Sequence, residues 1–193
     1  MAFDFPTIDP AKPGFEHVRF VGNNEWKNNN AHGAVSIMLG STSDWAKVVT
    51  CGQTLDELGI ATEVIIGSAH RIPEDMAEYA RHASQRGVQI VIAVAGGSAH
   101  LQAMAAAFAD GVPVLGVGVL SATFGPMDVL GSNVRLPSFS PTAFMGFDKA
   151  GAINAALMAA DILAINDESL RKRIRNLMNM IRESVRDDVA FEN

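Results

Sequence analysis

His70 and Arg71 stand side by side in "IIGSAHRIPED", residues 65–75, where an apolar run gives way to a proline. A histidine with an unperturbed pKa near ~6.5 gives and takes protons at cellular pH, and the planar fork of arginine matches a phosphate monoester. Between Ala34 and Asn166 the basic residues are Lys47, Arg71, Arg81, Arg86, Arg135 and Lys149. Lys47, Arg81 and Arg86 fall on expected helices and read as solvated. Arg71 falls in a loop, where it can meet an anionic ligand.

Two other short stretches carry compatible chemistry. "GSTSDW", residues 40–45, offers a glycine for a tight turn, hydroxyls at Ser41, Thr42 and Ser43 to cap a helix, and then Asp44. Backbone N–H groups at such a helix start bind phosphate, while Asp44 accepts hydrogen bonds from sugar hydroxyls. A plain Ser/Asp helix cap describes the same residues equally well. In "AGGSAHLQAM", residues 95–104, Gly96 and Gly97 let a ligand approach the backbone and Ser98 is placed to cap a helix. His100 lies near the positive end of that helix, which disfavours a charged imidazole, so it reads as a neutral positioning residue or a packed histidine.

Other motifs are missing. The chain has no Gly-x-Gly-x-x-Gly turn, triphosphate-binding loop, His-Glu-x-x-His, cysteine pair or Gly-x-Ser-x-Gly elbow. No carboxylates are spaced to complete a metal site with His70 and His100. The residues therefore describe a small phosphorylated ligand, proton transfer at His70, no metal and no evident cofactor.

These residues need elements to hold them. "AVSIML", "IATEVII", "VQIVIAVA" and "VPVLGVGV" are expected strands, each followed by small residues, and helical spacing follows in residues 42–59, 73–87 and 98–110. The alternation predicts a doubly wound parallel α/β sheet, in which ligands bind outside the strand C-terminal ends. Residues 120–141 read as a partly irregular connection, "TAFMGF" as a fifth strand, and residues 148–165 as an alanine-rich helix. Ala152, Ala155, Ala156, Ala159 and Ala160 would let another backbone approach closely.

The expected organisation is an irregular N-terminal arm over 1–33, an α/β domain over 34–166 and an amphipathic C-terminal helix over 167–193. Phe3, Phe5, Phe15, Phe20 and Trp26 give the arm an apolar means of docking. The last helix carries Leu170, Ile174, Leu177, Met178, Ile181 and Val185 on one face. Arg171, Lys172, Arg173, Arg175, Arg182 and Arg186 lie on the other, interleaved with acids, which reads as a solvated face.

Composition narrows the function further. The 193 residues are 48% apolar and 19% charged, with net charge −6, which disfavours broad nucleic-acid or anionic-membrane binding. Richness in small apolar residues suits close small-residue packing or an oligomer. The single cysteine, Cys51, excludes an intrachain disulfide and reads as a buried apolar residue. The N-terminus lacks the pattern of a secretory signal, and no apolar run reaches the ~18 residues of a membrane span. A cytoplasmic location is the expectation.

Taken together, "MLGSTSDW", "SAHRIPE", "AGGSAHLQAM", "VPVLGVGV" and "DKAGAINAALMAADIL" resemble the PurE family of purine biosynthesis, in order and spacing, over about Ala34 to Ile165. Within it the chain is similar to the bacterial mutase branch rather than the animal-type carboxylases. The resemblance implies a flavodoxin-like sheet in three layers, a homo-oligomer, expected as an octamer with sites where subunits meet, and no metal or organic cofactor. It implies movement of a carboxylate from the exocyclic nitrogen of an aminoimidazole ribonucleotide to a ring carbon, by decarboxylation and recapture of the carbon dioxide. By the same resemblance Ser41, Ser43, Asp44, Ser68, Ala69 and Arg71 contact phosphate and ribose, and His70 is the acid/base. Gly97, Ser98, His100 and Leu101 line the pocket around the base, and the alanine-rich helix lies between subunits. Ile72, Gln102, Ala103 and the loop 135–141 depart from the family pattern. Two alternatives keep the same fold: a related carboxylase or decarboxylase of another heterocyclic ribonucleotide, and a non-catalytic ribotide-binding oligomer.

Overall fold

The computed structural model describes residues 18–21, 33–121 and 125–190. Its strands are β1 (Val18–Phe20), β2 (Val35–Leu39), β3 (Thr62–Ile66), β4 (Ile90–Gly96), β5 (Val114–Val119) and β6 (Ala143–Phe147). Its α-helices are α1 (Trp45–Glu57), α2 (Pro73–Arg81), α3 (Leu101–Phe108), α4 (Pro126–Val134), α5 (Asp148–Leu163) and α6 (Glu168–Ala190). All pairings are parallel, in the order β1-β3-β2-β4-β5-β6. This is the doubly wound parallel sheet that the strand-helix alternation predicts, of the flavodoxin-like kind that the family resemblance implies.

Strand periodicity divides the side chains between two cores. Val35, Ile37, Leu39, Val64, Ile90, Ile92 and Val94 face α1 and α5. Met38, Ile65, Val91 and Ala93 face α2 and α3. β4 is buried along nearly its whole length, as expected for a central parallel strand with a helical layer on each side. Strand order reverses between β2 and β4, so a crevice opens at their C-terminal ends.

Several expectations are corrected. Val18–Phe20, inside the stretch expected to be irregular, pairs with β3, and Phe20 meets Trp45 edge-on with ring centroids 5.2 Å apart. Phe3, Phe5, Phe15 and Trp26 lie outside the described residues. The connection 120–141 contains α4, a helix with Pro126 at its first turn. The single helix expected over 73–87 stops at Arg81, and a 3-10 turn at Ser84–Arg86 carries the chain to Gly87. That turn carries Arg86 inward, against the expectation of a solvated side chain. Arg86 is 2% exposed, pairs with Glu63 of β3 at 3.4 Å and lies over the Tyr79 ring at 4.0 Å. Tyr79 also donates to Glu63 and shares a 2.6 Å hydrogen bond with Ser36.

The alanine face of α5 is used within the chain. Ala152, Ala155, Ala156, Ala159 and Ala160 are fully buried in the core shared with α1, which also contains Cys51. Burial also pushes the Cys51 thiol far up from its ordinary range. The stripe on α6 is covered only over its first half: Leu170, Ile174 and Leu177 are buried, whereas Ile181 and Val185 are exposed. Its basic face does more than meet solvent. Arg173 donates to the Leu58 carbonyl at the end of α1, and Arg171 to the Ala164 and Ile165 carbonyls.

Candidate active site

A cleft of about 660 Å³ lies over the C-terminal ends of β2, β3, β4 and β5. Its lining brings together Ser43, Asp44, Ser68, Ala69, His70, Arg71, Gly97, Ser98, His100 and Leu101 from three turns far apart in the chain. Ser41 stands just behind, accepting a 3.0 Å hydrogen bond from Ser43. Lys47, which the sequence reads as solvated, and Leu120, which carries no sequence signal, also line the cleft. Lys47 lies three residues after Asp44 on α1, so helical spacing points both side chains the same way.

The first and second turns are tied together by Arg71. Its Nη2 donates to the Gly40 carbonyl at 2.6 Å and its Nε to Ser68 Oγ at 3.1 Å. A guanidinium has five N–H donors, so the fork is oriented by two and keeps others for an anion. Neither Ser41 nor Ser43 caps α1 through its hydroxyl; Thr42–Asp44 forms a 3-10 turn instead, with the Asp44 N–H bonded to the Ser41 carbonyl. The Ser43 hydroxyl turns to Ser41 instead of to the helix, and its oxygen keeps acceptor capacity at the cleft. Ser98 likewise makes no side-chain cap on α3; its carbonyl accepts from the His100 N–H.

The second and third turns meet through their histidines. His70 Nε2 lies 3.0 Å from His100 Nδ1, with the rings edge-on and centroids 5.1 Å apart. One nitrogen donates and the other accepts, so a single proton occupies the contact. Gly97, at φ 62, makes the left-handed turn that swings Ser98 and His100 over the cleft. Gly96 allows the close approach of β5: a Cβ there would stand 2.5 Å from the Val119 carbonyl oxygen.

Burial raises the Asp44 carboxyl from its ordinary value, partly offset by the Ser41 hydrogen bond and then by Lys47 and Arg71. No group of three or more His, Cys, Asp or Glu able to hold a metal occurs among the described residues. The departures from the expected pattern stand outside the cleft lining. Gln102 is fully buried and donates its amide to Asn133 of α4. Ile72 precedes α2, Ala103 lies on α3, and Leu136, Ser140 and Pro141 line a separate hollow.

A family model described as AIR carboxylase matches residues 34–184. The chain belongs to the AIR carboxylase family. Among its relatives, the N5-carboxyaminoimidazole ribonucleotide mutase of Vibrio parahaemolyticus is 42% identical over 151 residues, covering 78% of this chain and 93% of that protein. The mutase of Bacillus subtilis is 46% identical over 140 residues, covering 72% and 86%. The mutase of Escherichia coli K12 is 43% identical over 150 residues, covering 78% and 87%. The solved structure of PurE from Treponema denticola matches with a TM-score of 0.72 at 25% identity, covering 81% of this chain and 96% of that one. In this AIR carboxylase family member, the matched region contains the whole cleft, β2 to β6 and the first part of α6.

Proposed function

We propose that this family member converts N5-carboxyaminoimidazole ribonucleotide into 4-carboxy-5-aminoimidazole ribonucleotide in purine biosynthesis, with His70 as the acid/base. The observation that carries the assignment to His70 is its place in one cleft with the Arg71 fork and in hydrogen-bond contact with His100. Arg71, Ser68, Ser43 and the turn after β2 take the phosphate. Asp44, whose carboxyl burial raises from its ordinary value, takes the ribose hydroxyls. Gly97, Ser98 and Leu101 flank the ring.

The proton balance then closes on one residue. Protonated His70 gives its proton to the exocyclic nitrogen as the N–C bond breaks and carbon dioxide leaves. The C–N bonding pair stays on nitrogen. The electron-rich ring carbon attacks the confined carbon dioxide, and neutral His70 removes the ring proton, restoring both aromaticity and its own charge. His100, in contact through the shared proton, steadies both states. Such acid/base catalysis contributes typically ~100- to 10,000-fold, so confinement in the cleft supplies much of the rest.

The substituted positions Ile72, Gln102 and Ala103 stand away from the cleft lining, which favours the mutase over a relative acting on another ring. We place the protein in the cytoplasm as a homo-oligomer, with an octamer as the expected state. An apolar groove of about 580 Å³ that includes Pro141, Met158 and Ile162 supports assembly, and light scattering of the purified chain measures it. The activity test follows formation of the carbon-linked product by wild type and His70→Ala. Turnover by the first and not the second is the expected result. An inactive, folded wild type overturns the mutase reading, and an active His70→Ala overturns the role of His70.

A further inference from the structure

Leu120 is the first residue past β5, beyond the ladder of the sheet, yet both of its backbone groups are held. Its N–H donates to Asp148 Oδ1 at 3.1 Å, and its carbonyl accepts from the ammonium of Lys47. The two hydrogen bonds belong to the peptide groups on either side of its Cα, so together they restrain its φ and ψ. Each is charge-assisted, which makes it stronger than a neutral equivalent.

Asp148 adopts φ 45, in the left-handed region that an L residue with a Cβ enters at a cost. The same turn already uses glycine at Gly146, with φ 107. Backbone geometry alone would favour glycine at 148 as well. The aspartate there has a contact to make, and its place in the first turn of α5 adds favourable interaction with the helix dipole.

Lys47 joins this clamp to the ligand site. It lines the cleft with Asp44, whose carboxyl its charge helps to hold down, and it reaches across to the opposite wall at Leu120. That wall runs Val119, Leu120, Ser121, and its backbone abuts Gly96 at the turn that presents His100. Displacement of Leu120 would therefore be felt at the catalytic pair.

We infer that Lys47 and Asp148 are positioning residues that fix the Leu120 wall of the cleft for the reaction. The kinetic part of this inference rests on the mutase reading; the clamp itself does not. In the full-length protein, Lys47→Met and Asp148→Asn are each expected to speed hydrogen exchange at the Leu120 amide by about tenfold, with the global unfolding midpoint little changed. With N5-carboxyaminoimidazole ribonucleotide as the probe, each is expected to lower kcat/KM by about tenfold. Lys47→Arg, which retains a donor, is expected to recover most of that loss. Unchanged exchange at Leu120 in both variants overturns the clamp, whatever the wild type does with the substrate. Faster exchange with undiminished kcat/KM, in an active wild type, overturns the positioning role. An inactive wild type overturns the mutase reading and leaves the clamp to be judged by exchange.

Discussion

His70 Nε2 and His100 Nδ1 are 3.0 Å apart, joining two turns that lie 30 residues apart in the chain. The contact orients the His70 ring, so replacing His100 should act through His70. His100→Ala is expected to lower kcat by about tenfold, far less than the ~100- to 10,000-fold loss expected of His70→Ala. An unchanged kcat in His100→Ala would show that the contact plays no part in turnover.

Arg71 should govern affinity. Its fork is preset by Gly40 and Ser68, so Arg71→Ala removes a charge-assisted contact and is expected to weaken ribonucleotide binding by about 1.5–3 kcal/mol, one to two decades in Kd. Lysine cannot reproduce the two preset hydrogen bonds together with a bidentate grip, so Arg71→Lys should recover only part of that loss. Isothermal titration at two salt concentrations reads both the affinity and its electrostatic share.

The Asp44 carboxyl is raised by burial, which fixes the sign of a pH effect on stability. A folded-state pKa above the unfolded value contributes stability below the unfolded value of 3.8, and that contribution is lost as pH rises through the folded-state pKa. At neutral pH the wild type thus carries an unfavourable charge that Asp44→Asn lacks. The variant is expected to be the more stable near pH 7, with its advantage shrinking as pH falls through the raised folded-state pKa and gone below 3.8, while binding the ribose more weakly. Urea midpoints across that range test the sign.

Glu63, Tyr79, Arg86 and Ser36 form a buried polar network far from the cleft, beneath α2. Arg86→Met leaves the fully buried Glu63 carboxylate without its guanidinium and is expected to cost about 3–5 kcal/mol. Adding Glu63→Leu should return much of that loss, since a buried pair replaced by apolar groups is often near neutral. Burial and then Glu63 push the Tyr79 phenol well above its ordinary value of 10.0, so its contribution is present below pH 10 and lost as pH rises further. Alkaline unfolding should accordingly be blunted in Tyr79→Phe.

The parts legible from sequence share a local cause. β2 to β5 announce themselves as apolar runs, and small residues after three of them mark the turns that build the cleft. The inward turn of Arg86 is hidden because helical spacing continues to Gly87, whereas the chain leaves α2 at His82 and turns toward a strand residue 23 positions away. Lys47 is exposed, in keeping with its helical position, but its bond to the Leu120 carbonyl is not legible because that partner is 73 residues distant and has no side-chain signature. β1 spans three residues, too few for a periodic signal, and exists by pairing with β3. α4 is hidden by Gly131, Ser132 and Asn133, poor helix formers; Asn133 is held in place by accepting from the Gln102 amide and donating to the Val129 carbonyl.

Trp45 follows directly on Asp44, is 2% exposed, and meets the Phe20 ring at a right angle. The chain thereby carries an optical reporter one residue from the ligand site and in contact with the strand that closes the sheet edge. With Trp26→Phe, leaving Trp45 as the sole indole, emission from one residue would follow both events. A change on adding ribonucleotide would report the cleft, and a change on deleting residues 1–20 would report the docking of β1.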